Sequence, residues 1–493
     1  MIINVANFNF GGDSGGGGKP ALLQEKTATI VQNGSQTITP DEGFDGMSSV
    51  QINAAITGAS SAIDFSQIGY DAEFSAEVNS KFNNDVSYSK SLYDAWNPSN
   101  TSANQLYSGD TKLVYAPKID TRNVTIMQRM FYGCTRLTTV PLYNTSKVTD
   151  MYYMFAYCSN LKSVPSFDTS KVTIMEGMFK ACTSLTSVPS FNTSKVTSMT
   201  SMFVDCSSLT TVPLFDTSNV TDMGYMLQFC SSLTTVPSFN TSNVTDMHNM
   251  FQGCKNLTTV PYFNTSNVTD MNNMFYNCIS LTSVPEMDTS NVTNMSSMFN
   301  YCTSLQTVPL FNTSNVTDMN NMFYNCTSLT SVPEMDTSNV TNMYDMFSYC
   351  TSLTSVPSFN TSNVTNFQYM FRNCTSLTTI EGISFKSFSA STMNRDYMFG
   401  SRPNSSIRKA VFKDIGYQST AVQFNTSIIT NWGVNSDEIQ DARQSLIDSL
   451  ITYSFDRASA GYPTCTITLS TNTKALLTPE EIAQIEAKGF TLA

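Results

Sequence analysis

The sequence is poor in the residues from which most enzymes build their sites. Of 493 residues one is histidine, two are tryptophan and 13% are charged. The single histidine, His248, excludes a histidine-based zinc cluster and any His-relayed triad repeated along the chain. Lysine and arginine number 26 against 38 acids, for a net charge of -12 and a pI near 4.6. So little positive charge offers no groove for a phosphate backbone, and nucleic acid is not an expected partner. No apolar run approaches the roughly 18 residues of a membrane span, so no membrane insertion is expected. The opening MIINVANFNFGGDSGGGGKP has no charged start, apolar core or small-residue cleavage site, which predicts a chain without a secretory leader, soluble in the cytoplasm before any assembly.

Cysteine is present, but as a period. Of twelve, eleven fall every twenty-four residues from Cys134 to Cys374, and Cys465 alone stands outside. Adjacent units would bring equivalent Cα atoms to about 4.8 Å, a distance a disulfide accepts. Eleven is odd, however, and the side chains should all point into one core, so buried free thiols are expected.

From Pro117 to Ile380 the chain divides into eleven units of twenty-four residues, each opened by proline. A period of this length overrides the two to four domains that length alone would suggest and predicts a solenoid, whose stacked units supply one another's core. In the unit 309–332 the recurrent apolar positions are Phe311, Val316, Met319, Met322, Phe323, Cys326, Leu329 and Val332. The spacing of Met319, Met322, Phe323 and Cys326 predicts one face of a short helix, with Thr317 as N-cap and Asp318 against the helix dipole. Leu329 to Val332 predicts a short strand closed by Pro333. Methionine at this spacing, beside Phe, Leu and Cys, reads as core and not as a metal or binding stripe.

The pattern M-x-x-M-F-x-x-C, then S-L-T-S-V, then F-D/N-T-S-N-V-T, seen from Met271 onward, resembles the BspA-like leucine-rich repeats of bacterial surface proteins. Leu22 to Ala54 is similar to short β-rich segments of gut-bacteriophage structural proteins. The final TCTITLSTNTKALLTPEEIAQIEAKGFTLA is similar to the C-terminal cap of BspA-like proteins encoded in the same setting. The resemblance implies adhesion and surface display without naming a receptor.

The expected fold class is therefore an α/β repeat solenoid with short parallel strands and short helices, a β-rich N-terminal module and an α/β C-terminal cap. Residues 1–18 read as a tail with a Gly-rich linker and 19–60 as a small β module for attachment, with a hairpin at Asn33-Gly34. Residues 61–116 read as a helical N-terminal cap, 117–380 as the array, 381–415 as a degenerate repeat with Met393, Met398 and Phe399, and 416–493 as the C-terminal cap. In that cap helices are expected over 436–452 and 478–488, with a strand over 464–469.

Asp150, Asp222, Asp246, Asp270 and Asp318 share one column. One carboxylate per unit lacks the dense ligand set of a calcium site and reads as helix-start stabilisation. His248 reads as a solvent-exposed surface residue, and the many NTS and NVT triplets as turn formers. No catalytic, cofactor or metal residues are assigned.

The functional lead is the set of aromatics off the core face: Tyr152, Tyr153, Tyr157, Tyr225, Phe229, Tyr276, Tyr301, Tyr324, Tyr344, Tyr349 and Tyr369. Rings among Asn, Asp and Gln suit carbohydrate or protein surfaces, whereas the plainer reading is that they cover neighbouring coils. The resulting expectation is a non-enzymatic appendage of a phage virion, of tail- or head-fibre type. Other virion proteins would hold the N-terminal region, and host polysaccharide or protein would meet the array. An exported BspA-type bacterial surface adhesin is the alternative, and homo-oligomerisation is left open.

Overall fold

The computed structural model describes residues 3–8, 28–31, 35–44, 47–54, 91–92, 95–117, 119–384, 409–413, 443–444, 447–461, 464–467 and 474–492. Through the array, each residue lies beside its equivalent twenty-four positions on. All eight expected core positions of 309–332 are buried: Val316, Met319, Met322, Phe323, Cys326 and Leu329 at 0% exposure, Phe311 at 2% and Val332 at 8%. The Phe323 column stacks ring on ring at 5.5–5.8 Å, with planes within 2–9° of parallel. Leu227 interrupts it between Phe203 and Phe251.

The eleven array cysteines are free. Each donates its thiol hydrogen to the backbone oxygen of the core residue at the Phe position one unit earlier, as from Cys326 Sγ to Phe299 O at 3.1 Å; the bond recurs at 3.0–3.2 Å in every unit. Burial pushes the thiols up, to about 12 at Cys278 and Cys374.

The expected helix is not what the Met-Phe-Cys segment forms. It is a run of turns in which Met322 N donates to Met319 O, Tyr324 N to Asn321 O and Cys326 N to Phe323 O, all i to i−3. The intervening amides leave the coil: Met319, Asn321, Phe323 and Asn325 donate to Asn342 O, Tyr344 O, Met346 O and Ser348 O of the next unit. Asn321 and Asn325 take left-handed φ values of 54° and 59°, and every unit repeats this at the same two positions. The physical reason is that an eight-residue helix is marginal alone, whereas the neighbouring coil offers these amides partners that an intrahelical i to i−4 pattern would deny. An i, i+3, i+4, i+7 spacing fits both geometries.

The parallel pairing is also placed differently. It is a single bridge per unit at the Asp318 column, running from Ile126↔Asp150 to Asn342↔Asn366. The expected strand at Leu329 to Val332 and its equivalents forms parallel bridges at the two ends of the array, Tyr115↔Thr139 and Ser355↔Thr379, and between them contributes isolated bonds such as Thr354 N to Thr330 O. Thr317 is not an N-cap: its Oγ1 donates to Thr293 O at 3.3 Å. Asp318 closes an Asx turn by accepting from Asn320 N at 2.9 Å, and Asp150, Asp222, Asp246 and Asp270 do the same two residues on. The column is structural, as expected, but it shapes turns and not helix starts.

Polar ladders bind the rim. Asn315 Nδ2 donates to Ser290 O at 2.6 Å, one of seven such rungs from Asn219 to Asn363. The buried Thr313 donates to Asp336 O at 2.7 Å in the following unit.

The expected helical N-terminal cap is in part another coil. Residues 102–116 pair with the first unit, Ala103, Gln105, Tyr107 and Gly109 donating to Ile126, Gln128, Met130 and Tyr132. Gln105 and Gly109 are left-handed, and Tyr107 stacks on Phe131 at 5.6 Å. Ala103, Leu106, Tyr107, Asp110 and Leu113 take the places of Met, Met, Phe, Cys and Leu, a spacing visible in the sequence once the residue types are set aside. Trp96 and Leu92 are buried against this coil, with Trp96 Nε1 donating to Asp120 O at 2.9 Å.

Outside the array, strands β1 (Ile3–Phe8), β2 (Ala28–Val31), β3 (Ser35–Phe44) and β4 (Met47–Ala54) form an antiparallel sheet in the order β1-β4-β3-β2. Val31↔Ser35 pairing brackets Asn33-Gly34 as expected, while β1, read as part of a tail, joins the module's sheet at Ile3↔Ala54. After the array, β5 (Thr379–Ser384) pairs in parallel with β6 (Lys409–Lys413). Met393, Met398 and Phe399 lie outside the described residues, as do all of 61–90 and 416–442. In the C-terminal cap a π-helical turn covers Asp448–Thr452 and β7 covers Cys465–Ile467. Helix α1 (Pro479–Ala487) is opened by a Thr478/Glu481 capping box, and β8 (Phe490–Leu492) pairs in parallel with β7. No described helix is long and apolar enough to cross a membrane.

Two outcomes follow from these ladders. Native protein at pH 8 should leave the eleven array thiols unreactive toward a disulfide reagent, and denaturation should release them; rapid native labelling would contradict the buried, protonated column. Asp168, Asp216, Asp288 and Asp336 each accept hydrogen bonds from the serine two residues on, which hold their carboxyls below the usual value. Their stabilisation is present above about pH 4 and lost as pH falls through the lowered native values. Changing all four to Asn, the residue at Asn192 and Asn240 in this column, should flatten the acid limb of a pH–stability curve; an unchanged limb would remove the carboxylates from the account.

Candidate functional site

The two left-handed positions and the residue before each form four outward columns on the turn face. All eleven aromatics singled out from the sequence lie there, and seven of them are themselves left-handed: Tyr153, Tyr157, Tyr225, Phe229, Tyr301, Tyr349 and Tyr369. A bulky L-residue in this conformation costs about 1–2 kcal/mol relative to its relaxed geometry. Asn249, Asn273 and Gly253 show what the columns accept with less strain.

The structure gathers most of the rings into two groups. In the first, Tyr132 meets Tyr157 edge-on at 5.2 Å, Tyr152 meets Tyr153 at 4.4 Å, and the Arg129 guanidinium lies 5.5–5.9 Å from the Tyr132, Tyr152 and Tyr153 rings. Gly177 is needed beside it, because a Cβ there would come within 2.5 Å of the Tyr153 ring.

The second group is longer. Tyr276, Tyr301, Tyr324 and Tyr349 follow one another at 6.2, 5.3 and 5.7 Å. Arg372 closes the row, 5.3 Å from the Tyr349 ring and 5.2 Å from Tyr369, which in turn meets Tyr344 at 5.9 Å. Burial among these neighbours pushes the Tyr324 phenol up to about 12, with Tyr301 adding to it. Tyr301 stays 38% exposed and its companions are half-buried, so the row presents ring edges and faces to solvent.

Tyr225 and Phe229 are not brought into either group. Tyr225 packs edge-on against His248 at 4.4 Å, and Phe229 lies over Gly253. His248 is half-buried and not solvent-exposed as expected, because its Nδ1 hydrogen-bonds to the Asp246 carboxylate while its ring rests on Tyr225. Sequence reasoning passed over Arg129, Tyr132 and Arg372. Their signal was position: each occupies one of the same four columns.

One acid sits inside the second group. Asp345 is 6% exposed, and its Oδ1 has no hydrogen-bond partner. Burial pushes its carboxyl up, partly offset by the Ser348 and Tyr344 hydroxyls beside it and, least, by Arg372.

Elsewhere the surface offers less. Leu142, Leu214, Tyr262 and Leu310 are exposed in the column after proline, but serines and glutamates separate them, as at Ser166, Ser238 and Glu286. Isolated apolar side chains of this kind are ordinary. An open trough of about 770 Å³ runs over Met287, Phe311 and Met335, with Asp288, Glu334 and Asp336 on its walls. It is not enclosed enough to hold a small substrate away from water. Among the described residues no three His, Cys, Asp or Glu gather as metal ligands.

A family model described as "Mycoplasma protein of unknown function, DUF285" matches residues 61–139, 101–213, 207–309 and 302–410 in overlapping copies. No curated protein is significantly similar in sequence. Several solved structures are similar in shape. A leucine-rich repeat protein from Eubacterium ventriosum is 20% identical over 56% of this chain and 80% of its own, at a TM-score of 0.38. The TLR13–ssRNA13 complex is 13% identical over 66% of this chain at a TM-score of 0.24, and the Drosophila Toll–Spatzle complex 10% identical over 76% at 0.25. The match spans 53% and 55% of those two chains, and none of the three lends this chain a ligand.

Asp345→Ser, which restores the residue found two units earlier at Ser297, should raise the melting temperature by a few degrees at pH 7. A raised native carboxyl value penalises folding above it and ceases to matter below the unfolded value, so the gain should vanish near pH 4. A loss of stability at pH 7 would show that the carboxylate is satisfied.

Proposed function

The chain belongs to the family described as Mycoplasma protein of unknown function, DUF285, and with that as premise we propose that it is a non-enzymatic display solenoid whose aromatic turn face adheres to a host surface. Its BspA-like leucine-rich repeats supply a rod of fixed shape, and the columns outside the core are free to carry recognition. The observation that carries the reading is the row Tyr276, Tyr301, Tyr324 and Tyr349: rings held in mutual contact on an outward face, two of them in a backbone conformation where Asn or Gly is cheaper. Rings that only covered the neighbouring coil would bring no advantage over the asparagines that fill the same columns elsewhere. Rigid tyrosines give contact area at low entropic cost.

On this reading the protein is an appendage of a phage particle. The N-terminal β module attaches to other virion proteins and the array faces the host. The second reading is an exported bacterial adhesin, favoured by the BspA-like repeat itself. Both use the same face and differ in what holds the N-terminal region, so co-purification with particles as against recovery from a bacterial envelope separates them.

Replacing Tyr276, Tyr301, Tyr324 and Tyr349 together by Asn should leave the melting temperature unchanged or slightly higher, since each column already accepts Asn, while abolishing binding of the full chain to host cells. Retained binding would move the site away from this face.

A further inference from the structure

The array repeats at twenty-four residues, but its second half also repeats at forty-eight. Phe263 to Pro285 and Phe311 to Pro333 differ at one position, Ile279 against Thr327, while the unit between them has Met287 for Phe and Tyr301 for Asn. In the turn face this appears as an alternation. The residue before the second left-handed position is Tyr276, Asn300, Tyr324, Ser348; the left-handed position itself is Asn277, Tyr301, Asn325, Tyr349. Each ring therefore stands beside a smaller residue in its own unit, and the rings step from one column to the other along the rod. Their unbroken contacts at 5.3–6.2 Å make one zigzag ridge.

Duplication alone does not account for the pattern. The unit 333–356 has diverged from 285–308 on this face, with Tyr344, Asp345 and Ser348 for Ser296, Ser297 and Asn300. It nevertheless keeps Tyr349 where the earlier unit has Tyr301, and a small residue beside it. The first two units show the same step with other neighbours: Tyr132 beside Gly133, then Ala156 beside Tyr157, with the rings again in contact at 5.2 Å.

The ridge is also uncharged over most of its length. From Met271 to Cys326 the four outward columns carry Asn, Ser and Tyr, and charge enters only with Asp345 and Arg372 at one end. A protein partner would present a single irregular surface, to which a strict two-unit period is indifferent. A polymer meets a ring in the same column at every two-unit repeat, Tyr276 then Tyr324 and Tyr301 then Tyr349, and each further contact is made at high effective concentration.

We propose that residues 261–380 bind a linear, uncharged polysaccharide in register, one chemical repeat to two units, a pitch of about 10 Å at parallel-strand spacing. Sugar faces lie against the alternating tyrosines, and hydroxyls meet the half-buried Asn277 and Asn325 amides beside Tyr276 and Tyr324. The inference rests on the display reading above and adds ligand class and phase.

The test uses the full chain and a panel of soluble neutral polysaccharides (a β-1,4-mannan, a mixed-linkage β-glucan and a xyloglucan), with hyaluronan and heparin as charged counterparts, measured by calorimetry. The variant Y324N/N325Y keeps the composition and the number of rings but moves one ring out of step; Asn at 324 and Tyr at 325 each match residues already present in those columns, so the fold should be kept, as a thermal melt will show. At least one neutral polysaccharide should bind the parent, and the swap should weaken it about tenfold or more. Shifting all four rings, by Y276N/N277Y, N300Y/Y301N, Y324N/N325Y and S348Y/Y349S, restores the alternation in the opposite phase and should recover most of the affinity. Preference for the charged polymers, binding of none of the neutral ones, or a swap that binds like the parent would overturn the proposal. If the four-tyrosine variant loses host binding while the swap retains it, registered glycan binding fails and display stands; if the four-tyrosine variant also binds host cells normally, the display reading itself fails.

Discussion

The fold depends on where alternate amides of the turn segment go. From the first unit to the tenth, Met319 and its equivalents (Met175 excepted), and every second residue to Asn325, give their N–H to the next coil and not to their own. That choice fixes two left-handed residues per unit, keeps Met319, Met322, Phe323 and Cys326 on the inside, and sets the remaining four side chains outside in straight columns. The stack of Phe rings and the thiol-to-carbonyl ladder then fill the interior along the same axis. Packing of one unit is therefore meaningless without its neighbours, which is the thermodynamic character of a solenoid.

Much of this was legible in the sequence. The period, the eight core positions and the free thiols follow from residue type and spacing, because burial is decided by which side chains can leave water. The local backbone was not. A spacing of i, i+3, i+4, i+7 describes a set of inward directions, and both a helix and a run of four-residue turns supply it. The clue against a helix was present in Asn321, Asn325, Gly133 and Gly253, residue types suited to positive φ at four-residue intervals. The coil at 102–116 escaped notice for a related reason: Ala103, Tyr107 and Asp110 keep the spacing but exchange the residue types on which the repeat was recognised.

For the candidate site, sequence reasoning found the rings but not their connection. The columns were visible, whereas the contact of Tyr301 with both Tyr276 and Tyr324 depends on the step between adjacent columns in three dimensions. Arg129 and Arg372 were passed over because a cation beside a tyrosine has no period. What unites sequence and structure is the division of labour in each unit. Inward positions hold to Met, Phe, Cys, Leu and Val, and outward positions vary from Gly to Arg while the thiol-to-carbonyl ladder runs on through every unit.

Residue-resolved hydrogen exchange of the native array tests the turn geometry most directly. The amides of Asn273, Ser297 and Asn321, whose side chains sit half-buried on the turn face, should exchange as slowly as those of the buried Phe275, Phe299 and Phe323, because each donates to the next coil. Exchange of the first set at the rate of open loops, with protection only of the second, would contradict the inter-unit bonding on which the display face rests.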